Sequence, residues 1–514
     1  MDNRVFGGGF TLRAVTIIIF VSLLVTGMFF SIYLFYIANS LYMLVVAAGF
    51  GALSIFAGFF NFYASILYYR SYFYDGYLDK IRKGLKKPKV WPSVAIIMPV
   101  YNENPKTVES TFRTLLKMRY PKERLAYYVL DDSTKPETAN EIKSFAKSHG
   151  IRYIHRMDRR GFKAGAFNNM LKYSNEKFIA IFDYDERLVN RNFLLDIMPY
   201  FGDAKLSYVQ TEKTCRKINN LFSDSVTLFD AFFFKFIEPA RALNNTAIFA
   251  GSCGVIRRSA LDGVGGFPEY VIEDTFFSFE SDMNDYKSLY IPRVYALGEP
   301  VKSFTELARQ QWRYNYGDTQ FIGYFLSNNK KSKLSPLSNM DYITHGFGLN
   351  YISVTLILFT IISIFLAFSA IPNLTLEQIL DVKFIFTDLE YFGAIALTLS
   401  IVTPVLLTKI YFNSVKKGIM LFILNFALAF VRTKAAIAAV FKRDPAMHWN
   451  RYVGTNKNKL FYALSNSAVE VVFSCAVIVL SIVATVTNHS SGGIWLVGYG
   501  VMYMFATILL YKYG

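Results

Sequence analysis

Apolar residues crowd the two ends of this 514-residue chain and thin out in its middle. Crossing about 30 Å of hydrocarbon takes roughly 20 apolar residues in a helix. Stretches of that length run over Thr11–Ile37 and Leu41–Tyr69, and then only after Gly346, over Phe347–Pro372, Tyr391–Phe412, Ser467–Thr487 and Gly493–Tyr511. A further stretch, Gly418–Phe441, is long enough but holds Arg432 and Lys434 in its middle. If it crossed, the loop with Lys442, Arg443, Arg451, Lys457 and Lys459 would change sides, against the tendency of Lys and Arg to stay inside. The pattern therefore predicts six spans and an interfacial helix over 418–441. The Ala38-Asn39-Ser40 turn and residues 488–492 carry no Lys or Arg, and 373–390 only Lys383, so these loops are expected outside. The first segment is too long, and lacks the small-residue cleavage site, for a removable signal peptide, and reads as a retained anchor.

Residues 91–318 are more polar and alternate in period. Val94–Val100, Tyr127–Leu130, Arg152–Ile154 and Phe178–Phe182 read as strands. Pro105–Met118, Glu137–Ser148 and Lys163–Tyr173 read as the helices between them. Such alternation predicts an α/β domain with a doubly wound, mainly parallel sheet, inserted between α-helical transmembrane segments. The organisation expected is two membrane helices and a basic linker (1–90), the α/β domain (91–318), an interfacial segment (319–345) and a membrane region (346–514).

Composition agrees with a membrane location, at 53% hydrophobic, 17% aromatic and 18% charged. The net charge of +17 gathers at the expected inner surface, at Arg70, Lys80–Lys89, Lys330–Lys333, Lys416 and Lys417. Basic runs beside a membrane attract anionic lipid headgroups. No nucleic-acid motif or stacking platform accompanies them, so nucleic acid is not an expected partner. The three cysteines, Cys215, Cys253 and Cys475, form no Cys-x-x-Cys, which argues against a disulfide framework or zinc site.

Chemistry concentrates where strands end, as it does in open α/β sheets. The ends carry Tyr101-Asn102-Glu103, Asp131-Asp132 and Asp183-Tyr184-Asp185. Period-2 geometry sends Asp183 and Asp185 to one side of a strand end, where they repel unless a cation lies between them. Oxygen-only ligands favour Mg²⁺ or Mn²⁺, whose coordination is commonly completed by substrate phosphates. A lone Asp-x-Asp is equally what a capped loop with solvated acids shows. A second acidic run, Val271-Ile272-Glu273-Asp274, also follows an apolar stretch. Gln310 and Arg313 share a face of a helix by their i, i+3 spacing.

In order, Pro99–Glu103, Val129–Asp132, Gly161–Ala166, Asp183–Asp185, Val209–Thr211, Phe249–Ser252, Glu273-Asp274 and Gln310–Tyr314 resemble membrane-integrated family 2 glycosyltransferases. Cellulose, mannan and hyaluronan synthases are the kind resembled. The resemblance implies a GT-A-type fold and an inverting, metal-dependent hexosyltransferase that takes a UDP- or GDP-sugar and extends a β-linked glycan. It implies that Tyr101, Glu103, Asp132 and Lys163 hold the sugar nucleotide, with Asp183 and Asp185 binding diphosphate through Mg²⁺ or Mn²⁺. Asp274 would be the catalytic base. Glu273 beside it could equally be a helix-start acid. Gln310 and Arg313 would grip the pyrophosphate, while Tyr314, where the family has Trp, would stack on the acceptor. Phe249, Gly251 and Ser252 would sit at the entrance of the acceptor channel.

The segment Tyr452-Val453-Gly454-Thr455-Asn456-Lys457 resembles the family's gating loop, with Tyr452, Thr455 and Lys457 at its matching positions. A cyclic-dinucleotide sensor after the last span is not expected. The resemblance implies a plasma-membrane enzyme with its catalytic domain in the cytoplasm and its product exported through its own helices. Transfer of one sugar to a polyprenyl-type lipid acceptor would need the same donor site and no channel. A transporter with a nucleotide-binding domain would need a Gly-x-x-x-x-Gly-Lys-Ser/Thr loop, which the chain lacks.

Overall fold

The computed structural model describes residues 40–328, 334–348, 350–368, 405–443, 459–488 and 491–514, with scattered positions between 17 and 38. Most of the expected span Thr11–Ile37, residues 391–404 of the span Tyr391–Phe412, and the expected gating residues Tyr452, Thr455 and Lys457 lie outside the described residues.

Strand β1 (Val94–Val100) is VAIIMPV, an apolar run with six of seven residues buried. A strand with no polar face must be covered on both sides, the usual condition of a parallel sheet flanked by helices. It is followed by β2 (Leu125–Asp131), β3 (Arg152–His155) and β4 (Phe178–Ile181), joined through the helices Pro105–Leu115, Pro136–Ser148 and Phe162–Leu171. The first of these helices starts where it does because Asn104 accepts from Lys106 N and Pro105 occupies the first turn. Then come β5 (Arg187–Leu188), β6 (Leu206–Cys215), β7 (Gly254–Arg257) and β8 (Lys287–Gly298).

The eight strands among the described residues form one sheet in the order β3-β2-β1-β4-β7-β6-β8-β5. β3, β2, β1 and β4 run parallel, as do β6 and β8, while β7 is antiparallel to both neighbours and β5 to β8. The expected mainly parallel sheet is therefore present, with two strands reversed. The register pairs Val100 with Asp131, so β1 and β2 end together, while β4 ends at Ile181 opposite Ile97, and the turn after it continues toward the same rim. Because β7 enters against β4, with Gly254 opposite Ile181, the residues leading into β7 meet the exit of β4. That reversal brings the Phe249–Ser252 segment to the Asp183 turn.

Among the described residues, five helices are long and apolar enough to cross a membrane: Leu41–Gly84, Asn350–Ala367, Val415–Val440, Ala468–Thr487 and Leu496–Tyr513. By length and composition the Val415–Val440 helix, expected at the interface, is as able to cross as the others. The two charges that set it apart are absorbed by protein partners, since Lys434 lies 3.1 Å from the buried Glu470 and Arg432 donates to two carboxamides.

The sheet is tied to the helices through the buried carboxylate of Asp341. It accepts from Tyr63 and Thr246, both at 2.6 Å, and from Asn244 at 3.0 Å, with the Arg70 guanidinium 3.6 Å away. Arg241 donates to the Asp341 and Thr246 carbonyls. A buried carboxylate this fully satisfied holds its surroundings in register, and removing one partner strands the rest.

Candidate active site

At the ends of β1 and β2 the backbone is stitched by Asn102, whose φ is 53°. Its Oδ1 accepts from Thr134 N and Lys135 N, each at 3.0 Å. Asp131 is fully buried and structural, accepting from Ser133 N and Tyr153. Asp132 is held in a bidentate pair by Arg156, at 2.8 and 2.5 Å. The Tyr101 ring lies under the Arg159 guanidinium, 3.3 Å from its centroid. A planar cation on an exposed tyrosine offers a stacking surface for an aromatic base.

The strand β4 ends at Ile181, so Asp183 and Asp185 stand in the turn after it, closed by Glu186 N donating to Asp183 O. Their common side comes from this turn and not from strand alternation, which corrects the period-2 expectation; both still line one cavity. Lys163 donates to Asp183 at 2.8 Å and to Gly251 O, and Lys213 lies 3.6 Å from Asp183 and 3.3 Å from Glu186. Burial would raise the Asp183 carboxyl, but the two ammonium groups outweigh it and hold it below the usual range. Asp185 goes the other way, to about 6, through burial and the negative charge of Asp183 and Glu186. Glu103 is raised to about 7 by burial, with Asp185 and Asp183 adding to the effect.

Among the described residues no set of three or more His, Cys, Asp or Glu side chains converges as a metal cage. Two carboxylates, one made harder to ionise by burial and by its acidic neighbours, suit a hard cation that draws its other ligands from diphosphate and water.

Asp274 lies in the first turn of the helix Glu273–Met283, where carboxylates are favoured by the dipole. Its Oδ1 accepts from Thr275 N at 2.8 Å. Its Oδ2 has no hydrogen-bond partner among the described residues. Asp274 lines the cavity, whereas Glu273 is 6% exposed and does not. Burial raises both, and Glu273 reaches about 7 with Asp274 adding to the effect. Gln310, Arg313 and Tyr314 line the same cavity, on the helix Phe304–Asn328.

Two expected acceptor residues are placed elsewhere. Phe249 is fully buried and packs on Tyr208 and Phe277 in the sheet core. Ser252 is also fully buried, its hydroxyl donating to Glu186 at 2.7 Å and accepting from Lys213. They support the wall and do not face the cavity. Gly251 does reach the site, with φ +76°, and a Cβ there would lie 2.9 Å from Asp274 Oδ2.

Sequence reading missed Lys213, Glu186, Arg156 and Arg159. Lys213 follows Thr211 by two in a mostly buried strand, a lone ammonium on one face that could have been noticed. Arg156 and Arg159 follow the end of β3 as the acids follow their strands, so the strand-end rule applied to cations would have found them.

The cavity is about 900 Å³ and runs from Asp183, Asp185 and Asp274 past Gln310 and Tyr314 to Phe50, Tyr351, Leu356 and Tyr499 on the apolar helices. Residues 95–265 match the family model for glycosyl transferase family 2. This stretch is similar to family 2 glycosyl transferases. A UDP-forming cellulose synthase catalytic subunit from Pseudomonas fluorescens (strain SBW25) is 30% identical over 244 residues, 46% of this chain and 32% of its own length. A probable glucomannan 4-beta-mannosyltransferase from Oryza sativa subsp. japonica is 28% identical over 272 residues, 50% of this chain and 46% of its own. The chain thus spans about a third of the first relative and under half of the second. A mannosyltransferase from Pyrobaculum calidifontis, solved with GDP-Man and Mn2+, aligns at 19% identity over 74% of this chain and 99% of its own, with a TM-score of 0.48. The acidic turn and the rim of strand ends fall within the matched residues, while Asp274 and the Gln310–Tyr314 helix follow them.

Proposed function

We propose that the protein is an inverting, metal-dependent membrane glycosyltransferase that adds sugar from a UDP- or GDP-sugar to a growing β-linked polysaccharide and passes the product out through its helices. The observation that carries this reading is the single cavity joining the acidic site to side chains of the Leu41–Arg70 and Asn350–Ala367 helices. An enzyme that transfers one sugar needs the first half of that cavity and not the second. The relatives' names, a cellulose synthase subunit and a glucomannan mannosyltransferase, support a polymeric β-linked product.

In this reading the base of the nucleotide stacks at Tyr101 and Arg159, and Asp132, fixed by Arg156, accepts from it. Glu103 and Lys163 border the sugar diphosphate. A divalent cation held by Asp183 and Asp185 would neutralise charge growing on the departing diphosphate. Gln310 and Arg313 add donors, the guanidinium as charge-assisted hydrogen bonds. The acceptor hydroxyl oxygen bonds to the anomeric carbon as the bond from that carbon to the phosphate oxygen breaks. The electron pair leaves with the nucleoside diphosphate, and the hydroxyl proton goes to Asp274 Oδ2, the oxygen not engaged by Thr275. One displacement inverts the anomeric centre, so an α-linked donor yields a β-link. Tyr314 stacks on the acceptor ring. The catalytic domain lies on the cytoplasmic side of the plasma membrane, beside basic residues that meet anionic headgroups.

The test is a donor screen with the protein in lipid nanodiscs, with Mn²⁺ or Mg²⁺, following release of UDP and GDP, then sizing the product. A long β-linked polymer is expected. Product limited to one added sugar on an extracted lipid would overturn the polymerase reading.

A further inference from the structure

Arg432 lies in the helix Val415–Val440 with none of its surface exposed. Among the described residues it has no carboxylate partner. Its Nε donates to Gln311 Oε1 at 2.9 Å and its Nη1 to Asn425 Oδ1 at 2.9 Å, while Nη2 is buried and unpartnered. The guanidinium also lies 5.6 Å from the centre of the Phe229 ring. A buried charge without a counter-charge is costly, and a carboxylate at either partner position would relieve that cost. Two carboxamides stand there instead.

The reason lies in what a guanidinium can do. It only donates, so it accepts no contact from an amide NH₂ and must face the amide oxygens. That fixes the flip of both side chains and turns their NH₂ groups away from Arg432. Gln311 and Asn425 both line the cavity that leads from Asp274 to the apolar helices, as does Phe229. No described group accepts from Gln311 Nε2 or Asn425 Nδ2. Two oriented amide donors beside an aromatic ring suit the hydroxyl and ring oxygens of a sugar, which accept hydrogen bonds and carry no charge.

We propose that Gln311 and Asn425 form a glycan subsite in the passage beyond the catalytic centre, and that Arg432 is the positioning residue that aims them. The ligand class is a neutral β-linked oligosaccharide, and the inference rests on the polymerase reading above.

The decisive variants are Asn425→Asp and Gln311→Glu. Each keeps, and strengthens by charge, the contact with Arg432, yet removes the NH₂ donor from the passage. A purely structural tie between the two helices would be preserved or improved by them. The protein is placed in lipid nanodiscs with UDP-glucose or GDP-mannose, whichever the parent uses, and β-1,4-linked gluco- and manno-hexasaccharides as acceptors. Each variant is expected to raise the half-saturating hexasaccharide concentration by roughly 3- to 10-fold, the scale of one lost hydrogen bond, and to shorten the polymer. Nucleoside diphosphate affinity should stay within about twofold of the parent, and the midpoint of thermal unfolding should not fall. Arg432→Met should weaken the hexasaccharide at least as much as either. Unchanged acceptor saturation and product length in both carboxylate variants would overturn the subsite, leaving a structural tie. A parent that releases no nucleoside diphosphate from any sugar nucleotide overturns the reading beneath it, and the parent alone reveals that.

Discussion

Gly251 and Asp274 stand so close that the hydrogen of the glycine is what leaves room for the carboxylate, since a Cβ at Gly251 would lie 2.9 Å from Asp274 Oδ2. The same position has φ +76°, where a side chain costs roughly 1 kcal/mol or more. Gly251→Ala is therefore expected to displace the oxygen assigned to proton uptake. Transfer should fall by at least about tenfold, as misplacement of a reacting group does. Calorimetry with UDP and Mn²⁺ should still show binding, and loss of binding would mean the fold and not the base was disturbed.

Asp274→Asn should lower transfer by roughly 10² to 10⁴, the usual share of a positioned general base. Glu273→Gln should cost far less, because Glu273 does not face the cavity. Burial raises the Asp274 carboxyl, so the base is lost by protonation at higher pH than for an ordinary aspartate. kcat/KM should thus fall as pH drops, with its acid limb above the usual aspartate range.

Asp185 is raised to about 6 by burial and by the charges of Asp183 and Glu186. A divalent cation between the two aspartates favours the ionised form of both. Excess chelator should abolish transfer, restored by Mn²⁺ or Mg²⁺. Asp185→Asn should lose most activity and most of the Mn²⁺-dependent gain in nucleoside diphosphate affinity. Full turnover in chelator would rule out the metal role.

Single cysteines placed at positions 373 and 488 should react with an impermeant thiol reagent from outside intact cells, and one at position 457 should not. The opposite result at 457 would make the Val415–Val440 helix a crossing segment whose following loop faces out.

The chain's own pattern determined much of the frame. Apolar runs located the described helices, and alternating periods located β1 to β4, because both signals are local and each residue carries its share. Asp183, Asp185 and Asp274 were legible as acids breaking an apolar run at an element's end, and Gln310 and Arg313 as a polar pair at i, i+3 spacing on one helix. The rim itself follows from parallel strands sharing a register.

Tertiary structure decided the rest. Whether Phe249 and Ser252 face the site depends on the backbone turning through positive φ at Gly251 and Cys253, which residue type alone does not reveal. The separation of Asp274 from Glu273 came from burial, since adjacent acids are alike until one is covered. Lys213 became a partner of Asp183 only when β6 packed beside β7, in a sheet whose order crosses the chain. Gln311 and Arg432 lie 121 residues apart, and their pairing exists only where two helices meet. Short-range pattern records what a residue is; packing against distant chain records what it touches, and that contact energy is absent from any window of sequence.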